Sequence, residues 1–519
     1  MKQTDNSGKR IKRSLLRILL GRTGFTAIAI IAQFFIIISY FGYLKDYSGT
    51  VTALLYILSF GVLLYIINMD ENPSYKIAWL LPVAVFPVFG AVLFLFLKLQ
   101  PTVKLTNKAL IQNIARSAPC LKQDKTVKAD FEKQWRNARG FTHYMNKYAG
   151  YPVYENTQVK YFPLGDEYIP ALKAELEKAE EYIFMEFFII DRGLVWGEIL
   201  EILKRKANEG VEIRLMYDGL CSIAMLPYNY PKTLEEYGIN CRVFNKVRPF
   251  LSSSQNNRDH RKICVIDGKT GFTGGINLAD EYANIIDRFG HWKDTAVMLK
   301  GDAVNSLVMM FLQMWHIPDG ENADYEKYMP APSGISAPGF VLPYGDSPLD
   351  NEPVGKTVYM HILNTANNYV HIMTPYLILD HEMEQCLASA AKRGVDVSLI
   401  LPHKPDKKYA FYLAHSHYAA LLKAGVKIYE YSPGFVHAKN YTSDDKKAVV
   451  GTINMDFRSL YLHWECACYM YDTPCVADIE QDFKDTLKHC QRITEDDLKN
   501  ISFFEYVACK ILSIFAPLM

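Results

Sequence analysis

Tyr182-Ile-Phe-Met-Glu-Phe-Phe-Ile189 is a β-rich run, followed by the amphipathic stretch Glu198–Asn208 and then by Gly210-Val-Glu-Ile-Arg-Leu-Met216. The same order returns later in the chain. Tyr369-Val-His-Ile-Met-Thr-Pro-Tyr376 is followed by Met383–Lys392 and by Gly394-Val-Asp-Val-Ser-Leu-Ile400. Strand, helix and strand in that order predict βαβ units, hence an α/β fold with mixed, largely parallel sheets flanked by helices. Two such stretches predict two repeated halves, at 149–316 and 351–495. Residues 317–350, rich in Pro, Gly and Asp, read as the linker between them.

Each half carries the same polar pattern. His260, Lys262 and Asp267 stand as His-x-Lys-x4-Asp, and His437, Lys439 and Asp444 repeat that spacing. Asn277 and Asn454 each lie 17 residues after their histidine, preceded by Gly274-Gly275 and Gly451-Thr452. Two core histidines with surface lysines would leave the repeated Asn without a reason. The chemistry supplies one. His and Lys two apart on a strand share a face. Lys offers a cation to phosphate oxygens and the Asn amide adds a neutral donor. Imidazole acts as nucleophile or general acid near neutral pH. Two facing copies would place one His to attack phosphorus and the other to protonate the leaving oxygen, with the lysines neutralising the charge that develops.

The rest of the chain sets the context. With 519 residues it suits two or three units, and 50% hydrophobic with 22% charged residues excludes global disorder. Residues 1–23 form a basic arm with seven cations and one anion; the remainder of the 57 Lys+Arg and 56 Asp+Glu is net negative. A net-negative body argues against a nucleic-acid groove. Transmembrane helices are expected in 24–97, at about 25–44, 51–69 and 79–97, each long enough for a bilayer core of about 30 Å. Pro82 and Pro87 predict a kink or re-entry in the third. Basic residues flank both ends of this region, whereas three crossings would separate them; the cytoplasmic face is the expected side for the soluble part. Residues 98–148 read as a helical connector and 496–519 as an amphipathic tail, with Phe504, Val507, Ile511 and Ile514 on one helical face. The ten cysteines show no Cys-x-x-Cys pair and read as reduced thiols. His415-x-His417 lacks the partners of a metal site.

The paired motif resembles the phospholipase D superfamily over residues 150–495. Asn257-Arg-Asp-His260-Arg-Lys262, Gly274-Gly-Ile-Asn277, Asp280-Glu-Tyr282, Trp292-Lys-Asp294-Thr295, Gly434-Phe-Val-His437-Ala-Lys439 and Gly451-Thr-Ile-Asn454-Met-Asp456-Phe-Arg458-Ser459 narrow the resemblance to bacterial cardiolipin synthases. The apolar N-terminus and the tail Phe503–Met519 are similar to that family too. Departures are Leu379-Asp380, where members often have Pro-Asp, and a third apolar run where two are usual.

The resemblance implies an enzyme that transfers a phosphatidyl group from one phosphatidylglycerol to another, giving cardiolipin and glycerol. His260 would be the nucleophile and His437 the acid and then the base, with Lys262, Lys439, Asn277 and Asn454 holding the phosphate. Asp267 and Asp444 count with the catalytic motif but are expected to orient its strand. Each histidine also needs a carboxylate to fix its tautomer. Glu465 and Asp294, 28 and 34 residues after the histidines of their own halves, are the candidates. No metal or organic cofactor is expected. The expected partners are phosphatidylglycerol, anionic membrane lipid and the membrane itself, with no nucleic acid, and the expected location is the cell membrane, multi-pass. A membrane-bound phospholipase D hydrolase, another phosphatidyltransferase of the superfamily, a nuclease and a degenerate membrane scaffold remain the rival readings.

Overall fold

The computed structural model describes residues 49–98, 101–246, 256–317, 323–330, 333–498 and 503–518, with Ile31, Phe35, Ile38 and Ser39. The basic arm 1–23 and the rest of the first apolar run lie outside the described residues.

The repeat seen in the sequence becomes two sheets of matching order. The first half contributes β1 (Thr157–Phe162), β2 (Tyr182–Phe187), β3 (Glu212–Asp218), β4 (Ile239–Phe244), β5 (Lys262–Ile266), β6 (Thr270–Gly274), β7 (His291–Lys293) and β8 (Ala296–Gly301). The second contributes β9 (Phe340–Asp346), β10 (Tyr369–Met373), β11 (Asp396–Pro402), β12 (Lys427–Tyr431), β13 (Gly434–Val436), β14 (Asn440–Ser443), β15 (Lys447–Gly451), β16 (Glu465–Tyr471) and β17 (Cys490–Ile493). The first sheet runs β1-β8-β6-β5-β2-β3-β4 and the second, from the corresponding edge, β9-β16-β15-β14-β10-β11-β12-β17. The short strands β7 and β13 pair with each other across the halves.

Largely parallel sheets are not what forms. Within the two large sheets only β2-β3-β4 and β10-β11-β12 are parallel. From the motif strands β5 and β14 onward the pairing is antiparallel. The reason is local: tight turns at Asp267-Gly268 and Asp444-Asp445 join neighbouring strands, so no crossover helix is required. The linker is also shorter than read, because Phe340–Asp346 within it forms β9 along β16.

Every residue of β2, β5, β6, β9, β14, β15 and β16 is buried, which is why these runs lack a polar alternation. The helix Val304–Trp315, buried at every position, shares one core with residues of both sheets. The connector is helical, at Pro101–Ser117, Lys125–Gln134 and Ala138–Tyr144, and packs onto the second half through Phe131 against Phe340 and Tyr471. All ten cysteines are free thiols, nine of them buried.

Among the described residues no helix is long and apolar enough to cross a membrane. The second apolar run, all but Met69, lies within the helix Gly49–Asn68, with side chains described from Ala53 onward. The third is not one span. It breaks at Phe86 into Pro73–Val85 and Pro87–Lys98, of 13 and 12 residues, each about 20 Å or less. Pro87 has no N–H to continue the first helix. The two pieces pack together where Gly90 meets Pro82 and Val83; a Cβ there would lie 2.6 Å from the Pro82 oxygen. Asn72, in the turn before this hairpin, donates to Asp380 Oδ2 at 3.2 Å and Tyr461 Oη at 3.0 Å, tying it to the second half. The tail forms the helix Phe503–Phe515; Ile511 and Ile514 are exposed, while Ala516 is buried beside Leu413 and Phe457.

Candidate active site

His260 and Lys262 sit where extended chain enters β5, and His437 and Lys439 lie between β13 and β14. The strands are central in their sheets, so the fold holds each motif from both sides. The two histidines line one cavity of about 470 Å³, together with Asn277 and Asn454.

What fixes the rings is a contact between halves. His260 N–H donates to the Trp464 carbonyl at 2.9 Å, and its Nδ1 lies 2.9 Å from both oxygens of Glu465, the next residue. His437 N–H donates to the Lys293 carbonyl at 2.7 Å, and its Nδ1 lies 2.6 Å from Oδ2 of Asp294, again the next residue. Each carboxylate thus serves the histidine of the other half. The within-half pairing expected from spacing is corrected: the approximate two-fold relation brings the end of one half against the motif of the other. Gly275 makes room for it, since a Cβ there would lie 2.0 Å from Asp294 Oδ1. Thr452 Oγ1 donates to Glu465 Oε2 and the Thr295 N–H to Asp294 Oδ1 at 2.8 Å, so both carboxylates are themselves held.

The electrostatics follow from burial. Desolvation pushes His260 well below the usual imidazole range and His437 down to about 4. Burial alone would raise the carboxylates, but His260 holds Glu465 well below the usual range, and Lys439 with His437 holds Asp294 low. Each pair is therefore a neutral imidazole donating Nδ1–H to a carboxylate anion. Its Nε2 lone pair is left for the cavity. Lys439 lies 2.8 Å from His437 Nδ1, but a nitrogen carrying its proton toward Asp294 offers no lone pair, so the lysine donates to the His437 carbonyl. Lys262 donates to the His260 carbonyl at 2.6 Å. Burial lowers Lys262 to about 8 and Lys439 to about 7; a bound anion would raise both.

The two Asn residues differ. Asn277 Oδ1 accepts from the Ile189 N–H at 2.9 Å and its Nδ2 donates to Tyr282 Oη at 2.8 Å. Asn454 lines the cavity with Oδ1 buried and without a hydrogen-bond partner among the described residues.

Asp267 and Asp444 stand apart from the chemistry. Asp267 is at the far end of β5, about 16 Å along the strand from Lys262. Its carboxylate accepts from the N–H groups of Glu180, Glu181 and Tyr182 at 2.8–2.9 Å. Asp444 does the same for Asn367, Asn368 and Tyr369 at 2.8–3.1 Å. Both have left-handed φ, 52° and 54°. These residues pin the start of β2 and β10 to the motif turn; their place in the catalytic set is corrected. Asp267→Ala is expected to cost about 2–3 kcal/mol of stability, because it strips three N–H groups of their acceptor at a left-handed position. Denaturant unfolding measures this, and turnover per folded molecule should stay within about threefold. A loss of turnover with stability intact would return Asp267 to the catalytic set.

Sequence reasoning missed other residues at the cavity. Phe188 lies 4.9 Å from the His260 ring, and Tyr282 and Trp292 lie 5.5 and 5.4 Å from His437. Tyr282 and Trp292 stood in the quoted motifs, but nothing in their spacing showed what they touch. His463, buried 5.5 Å from His260, had no sequence signal. His415 and His417 bind different carboxylates, Glu430 at 3.1 Å and Glu384 at 2.6 Å.

The family model described as "Cardiolipin synthase, PLD-like domain" matches residues 172–315 and 359–487, one segment in each half. The chain belongs to the cardiolipin synthase family of phospholipase D-like proteins. By that membership it is a phosphatidyl-transferring enzyme. A second family model, "Phospholipase_D-nuclease N-terminal", matches residues 57–98. A protein of Streptococcus mutans described as uncharacterized is 48% identical over 463 residues, 88% of this chain and 100% of that one. A cardiolipin synthase of Alkalihalophilus pseudofirmus is 32% identical over 484 residues, 92% of this chain and 96% of that one. The crystal structure of a phosphatidylserine synthase from Haemophilus influenzae superposes with a TM-score of 0.52 at 13% identity, over 70% of this chain and 93% of that one, and so shares the fold.

Proposed function

We propose that this enzyme is a cardiolipin synthase that transfers a phosphatidyl group between two phosphatidylglycerol molecules. The observation that carries the reading is the pair of carboxylate-backed histidines on one cavity. In the first step His260 Nε2 attacks phosphorus and the P–O bond to the headgroup glycerol breaks. His437, protonated once the anionic lipid is bound, gives its Nε2 proton to the leaving oxygen. The product is glycerol and a phosphatidyl-histidine whose ring charge Glu465 balances. In the second step His437 takes the proton of the acceptor hydroxyl. That oxygen attacks phosphorus, the P–N bond breaks, and cardiolipin leaves with both histidines restored. Lys262, Lys439, Asn277 and Asn454 stabilise the phosphoryl oxygens in both steps.

The reading places the enzyme in the cell membrane, with the catalytic part on the cytoplasmic face. Support comes from the exposed apolar side chains Leu54, Ile57, Phe60, Leu64 and Ile67 of one helix and Ile77, Leu81 and Val85 of the hairpin. If the first two runs cross, a broken third run that does not cross would keep both basic ends on one side and remove the charge conflict. The tail's Ala516 lines the cavity and the tail packs on Pro73–Val85, so anchor and cavity mouth are adjacent.

A hydrolase would share every motif residue, so products decide. In phosphatidylglycerol vesicles the full-length chain is expected to yield mostly cardiolipin. A chain beginning near residue 100 should yield less cardiolipin relative to phosphatidic acid, because the anchor keeps the acceptor at high effective concentration. Chiefly phosphatidic acid from the full-length chain would make it a phospholipase D.

A further inference from the structure

The wall beside His260 holds a group that phosphatidyl transfer leaves unused. His463 is buried and lines the cavity, and neither ring nitrogen has a hydrogen-bond partner among the described residues. A buried imidazole that makes no hydrogen bond carries a desolvation cost and needs a reason. Its Nδ1 is 3.6 Å from Glu465 Oε1, and Glu465 is 2.9 Å from His260 Nδ1. His260, His463 and Glu465 each bring one ligand atom within 4.8 Å of the others.

We propose that His260, His463 and Glu465 form a binding site for a divalent transition-metal ion of the zinc class, and that its occupancy switches the nucleophile off. Two imidazole nitrogens and a carboxylate oxygen suit such an ion better than magnesium or calcium, which prefer oxygen ligands. Ligands 2.0–2.1 Å from a tetrahedral ion stand about 3.4 Å apart, between the two separations found here. Thr452 donates to the second oxygen of Glu465, an outer bond of the kind that orients metal ligands. His260 and His463 line the cavity, which would give the ion a path and a fourth position for water or a lipid oxygen.

The consequence for chemistry is a tautomer change. A metal on His260 Nδ1 takes the lone pair formed when the ring proton leaves that nitrogen. The proton moves to Nε2, the ring stays neutral, and Glu465 exchanges its hydrogen bond for a metal bond. Nε2–H has no lone pair with which to attack phosphorus. Metal binding and formation of the P–N bond therefore exclude each other. The binding half of this inference stands whatever lipid the enzyme uses; the inhibition half rests on His260 being the nucleophile.

The test titrates Zn²⁺ into the full-length chain in detergent micelles against a chromophoric chelator. One ion per chain is expected, with affinity falling at least tenfold in His463→Asn and in His260→Asn. Two variants keep the test decisive should one fail to fold. Zinc should also suppress glycerol release from phosphatidylglycerol, reversibly with chelator, and the ratio of activity without and with zinc should shrink in His463→Asn. Absence of stoichiometric binding, or an affinity unchanged in both variants, overturns the site. Inhibition of equal strength in the wild type and His463→Asn overturns the switch. A zinc-free wild type that makes no cardiolipin counts against the proposed reaction and leaves the binding result to be judged alone.

Discussion

Replacing His260 with alanine is expected to abolish turnover and the covalent intermediate together, whereas replacing His437 should abolish turnover and spare the intermediate. Groups that act as one unit each cost nearly the whole effect, here about 10⁵–10⁶-fold in turnover. The two lesions separate when the donor lipid carries a p-nitrophenyl headgroup, because that leaving group needs no acid. With this donor His437→Ala should release about one equivalent of p-nitrophenol and hold the phosphatidyl adduct, since no base then activates the acceptor. His260→Ala should release none. Mass mapping of the trapped adduct gives the residue directly. An adduct on His437, with a burst surviving in His260→Ala, would exchange the two roles.

Glu465→Gln should reproduce the His260 lesion, although Glu465 belongs to the other half. The amide keeps the shape, loses the charge that balances a phosphorylated imidazole, and can hold the ring in the wrong tautomer. A loss of about 10²–10⁴-fold is expected, with the p-nitrophenol burst slowed by the same factor. Asp294→Asn should instead resemble His437→Ala: a normal burst followed by slow turnover. The prediction follows from the contacts in the structure, 2.9 Å from Glu465 to His260 and 2.6 Å from Asp294 to His437. If Glu465→Gln keeps the burst and Asp294→Asn loses it, each carboxylate serves its own half and the crossed arrangement is wrong.

Much of this was legible in the residues. Order within the repeat, and the doubled spacing of His, Lys, Asp and Asn, are short-range patterns, and these set the two-half α/β plan and the members of the site. Pro87 likewise signalled the broken third run, since a missing N–H cannot continue the helix before it, whereas Pro82 sits inside a continuous helix. Sheet direction was less legible. Full burial on both faces removes the alternation that would mark β5 and β6 as antiparallel strands. Strand β9 hid among Pro and Gly residues because its pairing to β16 is long-range.

By its sequence alone this protein determined its family, its paired motif and the residue types that meet phosphate, because local order and spacing carry them. Tertiary structure alone decided which carboxylate backs which histidine, that Asp267 and Asp444 brace turns, and that His463 stands beside His260. Spacing along one half says nothing about contacts made across two. Those contacts exist only once the approximate two-fold packing closes a single cavity between the halves.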